Sequence, residues 1–193
     1  MWSVKKVNND SRIVQQQIGR ELRSDSEVTC RCHLDIPAVI KVPPKLNDGT
    51  PFPTTYWLTC PMYNKKIGSL ESQGLIKELD KELENNPDLK EKWQSRQKSY
   101  QAEREELAND NSGPQATGGV GGAAESIKCL HSHTADELST GKNVIGKIVV
   151  ESIGSFNCEE ACIDTKTFEK NKDWKVGTTS TVGNFVYEKA FVG

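Results

Sequence analysis

KKIGSLESQGLIKELDKELENNPDLKEKWQSRQKSYQAEREELAN, residues 65–109, decides the fold class of this chain. Ile67, Leu70, Leu75, Ile76, Leu79 and Leu83 recur at helical spacing and predict a helix over 65–84, weakened in its middle by Gly74. ENNPD then interrupts the pattern. Asn86 can cap and Pro87 can occupy the first turn of a second helix over 87–109. That helix places Leu89, Trp93, Tyr100 and Leu107 near one stripe and leaves the rest charged. Two helices with a short break form a helical hairpin; one kinked helix is the alternative.

Upstream, Val14, Ile18 and Leu22 line one face of a helix over 11–23, capped by Asn9 or Asp10. EVTCRC reads as a short strand entering a turn. Residues 38–42 form a second strand, stopped by Pro43 and Pro44. Asp48-Gly49 marks a turn, residues 56–59 are extended, and Pro61 closes them. Downstream, the glycine-rich stretch 110–125 reads as a flexible linker and lacks a nucleotide-binding fingerprint. A short helix over 134–139 stops at Gly141, and NVIGKIVVESI is a strand candidate. Trp174, 178–182 and 185–187 carry weak strand signals. The expected fold is α+β, a small mixed-strand sheet packed against an amphipathic helical hairpin, with an α/β sandwich as the alternative. Residues 1–151 form the domain, and 152–193 a C-terminal appendage that either covers the same core or stands as a small unit.

The chain has 193 residues, 25 basic and 27 acidic, for a net charge of -2. That length can bury one substantial core, roughly 70% of the unfolded surface. The charge balance gives no global pull toward nucleic acid. No apolar run approaches the roughly 20 residues that span a bilayer, and the first residues lack an apolar signal core. A cytoplasmic location without membrane insertion follows as the expectation. There, six cysteines suit free thiols, catalysis or metal ligation better than structural disulfides.

Those cysteines are clustered with histidine. Cys30, Cys32 and His33 share CRCH, Cys60 ends TYWLTC, and Cys129, His131 and His133 share KCLHSH. Thiolate and imidazole are ligands for zinc, and thiolates also hold iron–sulfur clusters. A four-ligand shell of Cys32, Cys60, Cys129 and His131 is the leading proposal, with Cys30, His33 and His133 as alternates. Zinc is favoured over an iron–sulfur cluster because it accepts mixed shells. Buried, inert cysteines are the bland alternative. A thiol reaction would use Cys129 as nucleophile and His131 or His133 as base. Cys158 and Cys162, four apart, would share a face on a helix. Arg96, Tyr100 and Arg104 form a ladder at helical spacing able to meet a carboxylate or phosphate, with Lys128 nearby in sequence to Cys129; a solvated helix face is the simpler reading.

Cys32 followed by Pro37-Ala38-Val39-Ile40, the run DGTPFPTTYWLTCP, the Tyr100/Arg104 pair and KCLH near NVIG together span most of residues 10–150. In these the chain resembles the bacterial DUF501 family of uncharacterised proteins. The resemblance implies a small cytosolic α/β protein without an established activity. Genes of the family lie in some bacteria beside septum-formation and exopolyphosphatase genes, which implies a link to cell division or envelope growth. Thr50, Pro51, Phe52, Pro53, Tyr56 and Pro61 join Cys32, Cys60, Tyr100, Arg104, Lys128, Cys129 and His131 as family-pattern residues. Asp35 stands where the pattern accepts glycine, Leu34 where some relatives have cysteine, and Gln97 where a histidine can precede the Tyr/Arg pair.

Three functions are therefore open. The first is a Cys/His metal-binding protein. The second is an enzyme acting on a phosphorylated or carboxylated small molecule, bound by Arg96, Arg104 and Lys128. The third is a metal-free module that docks a protein partner on its exposed helix.

Overall fold

The computed structural model describes residues 8–108, 118–123 and 125–176. Helix α1 is Asn9–Ile18, with Asn8 Oδ1 accepting from Ser11 N at 2.7 Å. It ends earlier than its apolar spacing predicts, because Gly19 turns the chain into the left-handed region (φ 69) and leaves Leu22 beyond the helix. Strands β1 (Glu27–Arg31), β2 (Pro37–Lys41) and β3 (Tyr56–Leu58) follow. They form a sheet in the order β1-β2-β3, antiparallel at both junctions. β2 is central, and Ala38, Val39 and Ile40 are buried on both faces, so it reads as a continuous apolar run.

The turn from β1 to β2 explains one sequence departure. Cys32 N donates to Ile36 O (2.9 Å) and Asp35 N to Cys32 O (3.0 Å), with Asp35 at φ 59. A left-handed residue is needed there, which suits glycine and which aspartate tolerates.

The helix predicted over 65–84 is two helices, α2 (Pro61–Ser72) and α3 (Leu75–Asn85), because Gly74 takes φ 94 between them. α4 (Pro87–Ala108) starts at the predicted break, where Asn86 Oδ1 accepts from Leu89 N at 3.1 Å. Leu75, Leu79 and Leu83 of α3 join Leu89 and Trp93 of α4 in the main core. The far end of the predicted stripe fails: Leu107 is exposed.

α5 (Leu130–Thr140) ends at Gly141 (φ 66), as its sequence indicates. NVIGKIVVESI corrects the strand expectation: Val144–Ile153 is helix α6. Its β-branched residues suggest a strand, but Ile145, Ile148, Val149 and Ile153 recur at helical spacing and are buried. Asn143 caps it through Gly146 N at 2.9 Å. α5 and α6 pack so closely that a Cβ on Gly146 would lie 2.1 Å from the His133 carbonyl oxygen. The whole is α+β, a three-stranded antiparallel sheet against helices paired as hairpins.

The described part of the C-terminal region lies on the same core. Phe156, Cys158, Trp174 and Val176 pack against the main cluster, and Ile163 is buried with Ile13 and Ile36. Cys158 and Cys162 sit in a loop there, not on a helix. The strand signals at 178–182 and 185–187 lie outside the described residues. No described helix is long and apolar enough to cross a membrane.

Candidate functional site

The C-terminal turn of α2 meets the N-terminus of α5, and this junction collects the chemistry. Cys129 is the N-cap residue of α5, and His131 lies in its first turn. Glu71, from the last turn of α2, accepts a hydrogen bond from Leu130 N at 2.8 Å. A carboxylate is favoured there, where the first N–H groups of a helix lack partners within it. One ligand atom each from Glu71, Cys129 and His131 lies within 4.8 Å of the others.

The histidine is oriented from behind. His131 Nε2 lies 3.3 Å from Asn64 O. A carbonyl only accepts, so the proton belongs on Nε2. His131 Nδ1 is turned toward Glu71 Oε1 at 3.3 Å. A ring nitrogen held this way by a backbone carbonyl on the opposite side is a common arrangement for ligating histidine.

A thiol, a carboxylate and an imidazole thus share a small, half-buried space. Burial alone would raise the Cys129 thiol, but hydrogen bonds from His131 and from Ser132 N and Oγ outweigh it and hold the thiol below its ordinary value. His131 is raised, through its hydrogen bond with Cys129 against the cost of burial, with the Glu71 charge adding to it. The arrangement favours a positive charge between thiolate and carboxylate, supplied by a proton on the imidazole or by a metal cation.

A groove of about 530 Å³ opens over Cys129 and His131. Trp57, Phe52, Arg20, Asn64 and Ser132 line it, and the Arg20 guanidinium lies 4.7 Å above the Trp57 ring. The described part of the glycine-rich stretch, 118–123, is packed here and does not act as a free linker. Val120 is buried, and its N–H donates to Gln97 Oε1 at 2.6 Å. Gly119 lies so close to Gln97 that a Cβ would sit 2.0 Å from Oε1, and Gly121 lies against Ser132 and Cys129.

The other expected site residues are elsewhere. Cys32 and Cys60 line a separate cavity with Cys158 and Cys162. Burial pushes the Cys60 thiol up to about 12. Cys30 is half-buried, with its thiol raised by burial and by Cys32. His33 Nε2 lies 2.9 Å from Cys158 O. His133 is enclosed in α5, and desolvation lowers it to about 4.

The Arg96, Tyr100 and Arg104 ladder faces inward. Arg96 is held by Asp136 and Glu103. Tyr100 Oη accepts from Thr55 N at 2.7 Å, and Arg104 Nη1 donates to Pro53 O at 3.2 Å. Lys128 is exposed, with its Nζ 3.2 Å from Gly122 O. Sequence reasoning missed Glu71: it lies 58 residues from Cys129 in the chain, and only the junction of α2 with α5 reveals it.

The model of the family described as "Protein of unknown function (DUF501)" matches residues 28–151, more than half of the chain. No curated protein and no solved structure matches the chain. The chain belongs to the DUF501 family, and the match covers β1 through most of α6, including all three residues of the junction.

Proposed function

We propose that this DUF501 member binds a divalent transition metal, zinc first, through Glu71, Cys129 and His131. The observation that carries the proposal is the approach of three ligand atoms from two different helices to within 4.8 Å. Sulfur, nitrogen and oxygen donors together suit zinc better than magnesium or calcium. Three protein ligands leave a fourth position for water or a substrate atom, the pattern of catalytic zinc sites and not of closed structural ones. The groove over Cys129 gives that position access to solvent. A cytoplasmic setting belongs to the proposal, because unpaired thiols persist in a reducing compartment. A part in cell division or envelope growth rests on the gene neighbourhood of the family alone.

Metal analysis of the purified chain tests this. One equivalent of zinc is expected at this site, so Cys129→Ala lowers the metal content by one equivalent, and Glu71→Gln reduces the affinity of that equivalent. Wild-type metal content in a folded Cys129→Ala variant would sink the assignment.

A second reading uses the same residues without metal. The Cys129 thiol receives hydrogen bonds from Ser132 N and Oγ at the N-terminus of α5, which favours thiolate. Cys129 would then attack an electrophilic carbon or phosphorus of an anionic small molecule and break its bond to a leaving oxygen, with His131 taking the thiol's proton and passing it to that oxygen, and the exposed Lys128 drawing the substrate. In that case Cys129 reacts rapidly with iodoacetamide in metal-free protein, and Cys129→Ser abolishes the labelling. Slow labelling that matches the rate of Cys30 would exclude it.

A further inference from the structure

We propose that Cys32, Cys60, Cys158 and Cys162 form a second metal site, an all-thiolate shell for a single zinc-class cation that fastens the 154–176 segment to the domain. Four of the six cysteines, drawn from three separate stretches of chain, line one cavity. Cys32 comes from the β1–β2 turn, Cys60 from the N-cap of α2, and the last two from the C-terminal loop. The cavity holds about 20 Å³, room for one water-sized body. One ion fits that space, and four soft sulfur donors select zinc or another thiophilic cation over magnesium or calcium.

Burial raises the Cys60 and Cys162 thiols, and hydrogen-bond donors at the cavity offset part of that cost. The backbone N–H groups of Met62 and Tyr63 point at the Cys60 sulfur, and Gln17 Nε2 lies 3.6 Å from Cys162 Sγ. Such donors stabilise sulfur that carries negative charge. Lys66, itself buried, interacts with both Cys60 and Cys158. Its ammonium would offset part of the negative charge that four thiolates leave around a dication. The contact of His33 with the Cys158 carbonyl ties the C-terminal loop to the turn that carries Cys32.

No three of the four sulfurs lie within 4.8 Å of one another. Among the described residues, Glu71, Cys129 and His131 are the one group whose donor atoms meet within 4.8 Å. Closure of the thiolate shell therefore requires the four sulfurs to draw together around the ion. The two sites share no ligand, so each can fail without the other.

The test is anaerobic cobalt titration of the full-length, reduced, chelator-treated protein. In a Cys129→Ala/His131→Ala background, which removes the first site, we expect one equivalent bound with the absorption of tetrahedral cobalt in four sulfurs. Adding Cys158→Ser and Cys162→Ser should abolish that spectrum. A folded background variant without a four-sulfur spectrum overturns the proposal, as does a spectrum indifferent to loss of Cys158 and Cys162. Thiol alkylation of the unmutated chain, with and without zinc, provides a check independent of substitutions. Joint protection of Cys32, Cys158 and Cys162 by zinc supports the shell, and their unchanged labelling refutes it. Metal content that falls only with Cys129 would leave the first site standing and remove the second.

Discussion

Arg96 closes on Asp136 through two parallel hydrogen bonds, Nε to Oδ2 at 2.8 Å and Nη2 to Oδ1 at 2.7 Å. Both side chains are almost completely withdrawn from water. Glu103 holds the outer edge of the same guanidinium, and Asn143 Nδ2 donates to Asp136 Oδ2 at 2.8 Å. The pair links α4 to α5, and through Asn143 to the start of α6. Removing one partner leaves a buried charge alone, which costs about 3–5 kcal/mol, whereas replacing both can be nearly neutral. We expect Arg96→Met to destabilise the chain by that amount in urea denaturation, and Arg96→Met/Asp136→Leu to recover a large part of it. A single variant that loses less than the double variant would contradict the account.

His133 gives the fold an acid sensitivity. Asn143 Oδ1 also receives Gly146 N, so it accepts from His133 Nδ1–H at 3.0 Å. His133 Nε2 is then a lone pair in the core with no hydrogen-bond partner among the described residues. Desolvation lowers the ring to about 4, below its ordinary 6.5. The unfolded chain therefore binds the proton first. The stabilisation from neutral His133 is complete above about pH 6.5, declines as the pH falls, and is gone below about 4. A difference of that size between the folded and unfolded chain corresponds to about 3 kcal/mol. Chelator-treated wild type should lose stability across that window, and His133→Gln should flatten the loss. Superimposable stability–pH curves would show that another group governs the acid limb.

Gly146 tests the α5–α6 contact. Glycine inside a helix ordinarily costs about 1 kcal/mol relative to alanine, so the bare expectation for Gly146→Ala is stabilisation. The His133 carbonyl, 2.1 Å from where the Cβ would lie, reverses the sign. Backbone must move to admit the methyl, at about 1–3 kcal/mol. A melting temperature at or above that of the wild type would mean that the helices are not packed this tightly.

What the sequence revealed depended on how local each cause was. The Asn86-Pro87 start of α4 and the Gly141 end of α5 are set by neighbouring residues, and both were legible. α6 was not: Val144, Ile145, Ile148, Val149 and Val150 favour a strand by composition, and packing against α5 overrides them. At the candidate site, Cys129 and His131 were visible because they adjoin in KCLH. Glu71 was invisible because an acidic residue near a helix end is ordinary until α5 is placed against it. The mixed set of Cys32, Cys60, Cys129 and His131 rested on the clustering of cysteine and histidine in short runs. The fold instead puts Cys129 and His131 with Glu71, and Cys32 and Cys60 with the C-terminal thiols.

Tyr100 and Arg104 are where sequence suggested an anion site and the structure shows a clasp. Thr55 N donates to Tyr100 Oη at 2.7 Å, and Pro53 O accepts from Arg104 at 3.2 Å. Pro53 cannot donate, so its carbonyl and the Thr55 N–H are the groups by which α4 holds the approach to β3. Tyr56 and Trp57, which follow directly, line the groove over Cys129. Tyr100 is buried, so Tyr100→Phe removes the acceptor without admitting water to Thr55 N–H. The unsatisfied donor costs about 1–3 kcal/mol. We expect that loss in urea denaturation, together with faster amide hydrogen exchange at Thr55 and through β3. Exchange unchanged at Thr55 would show that Tyr100 serves packing alone.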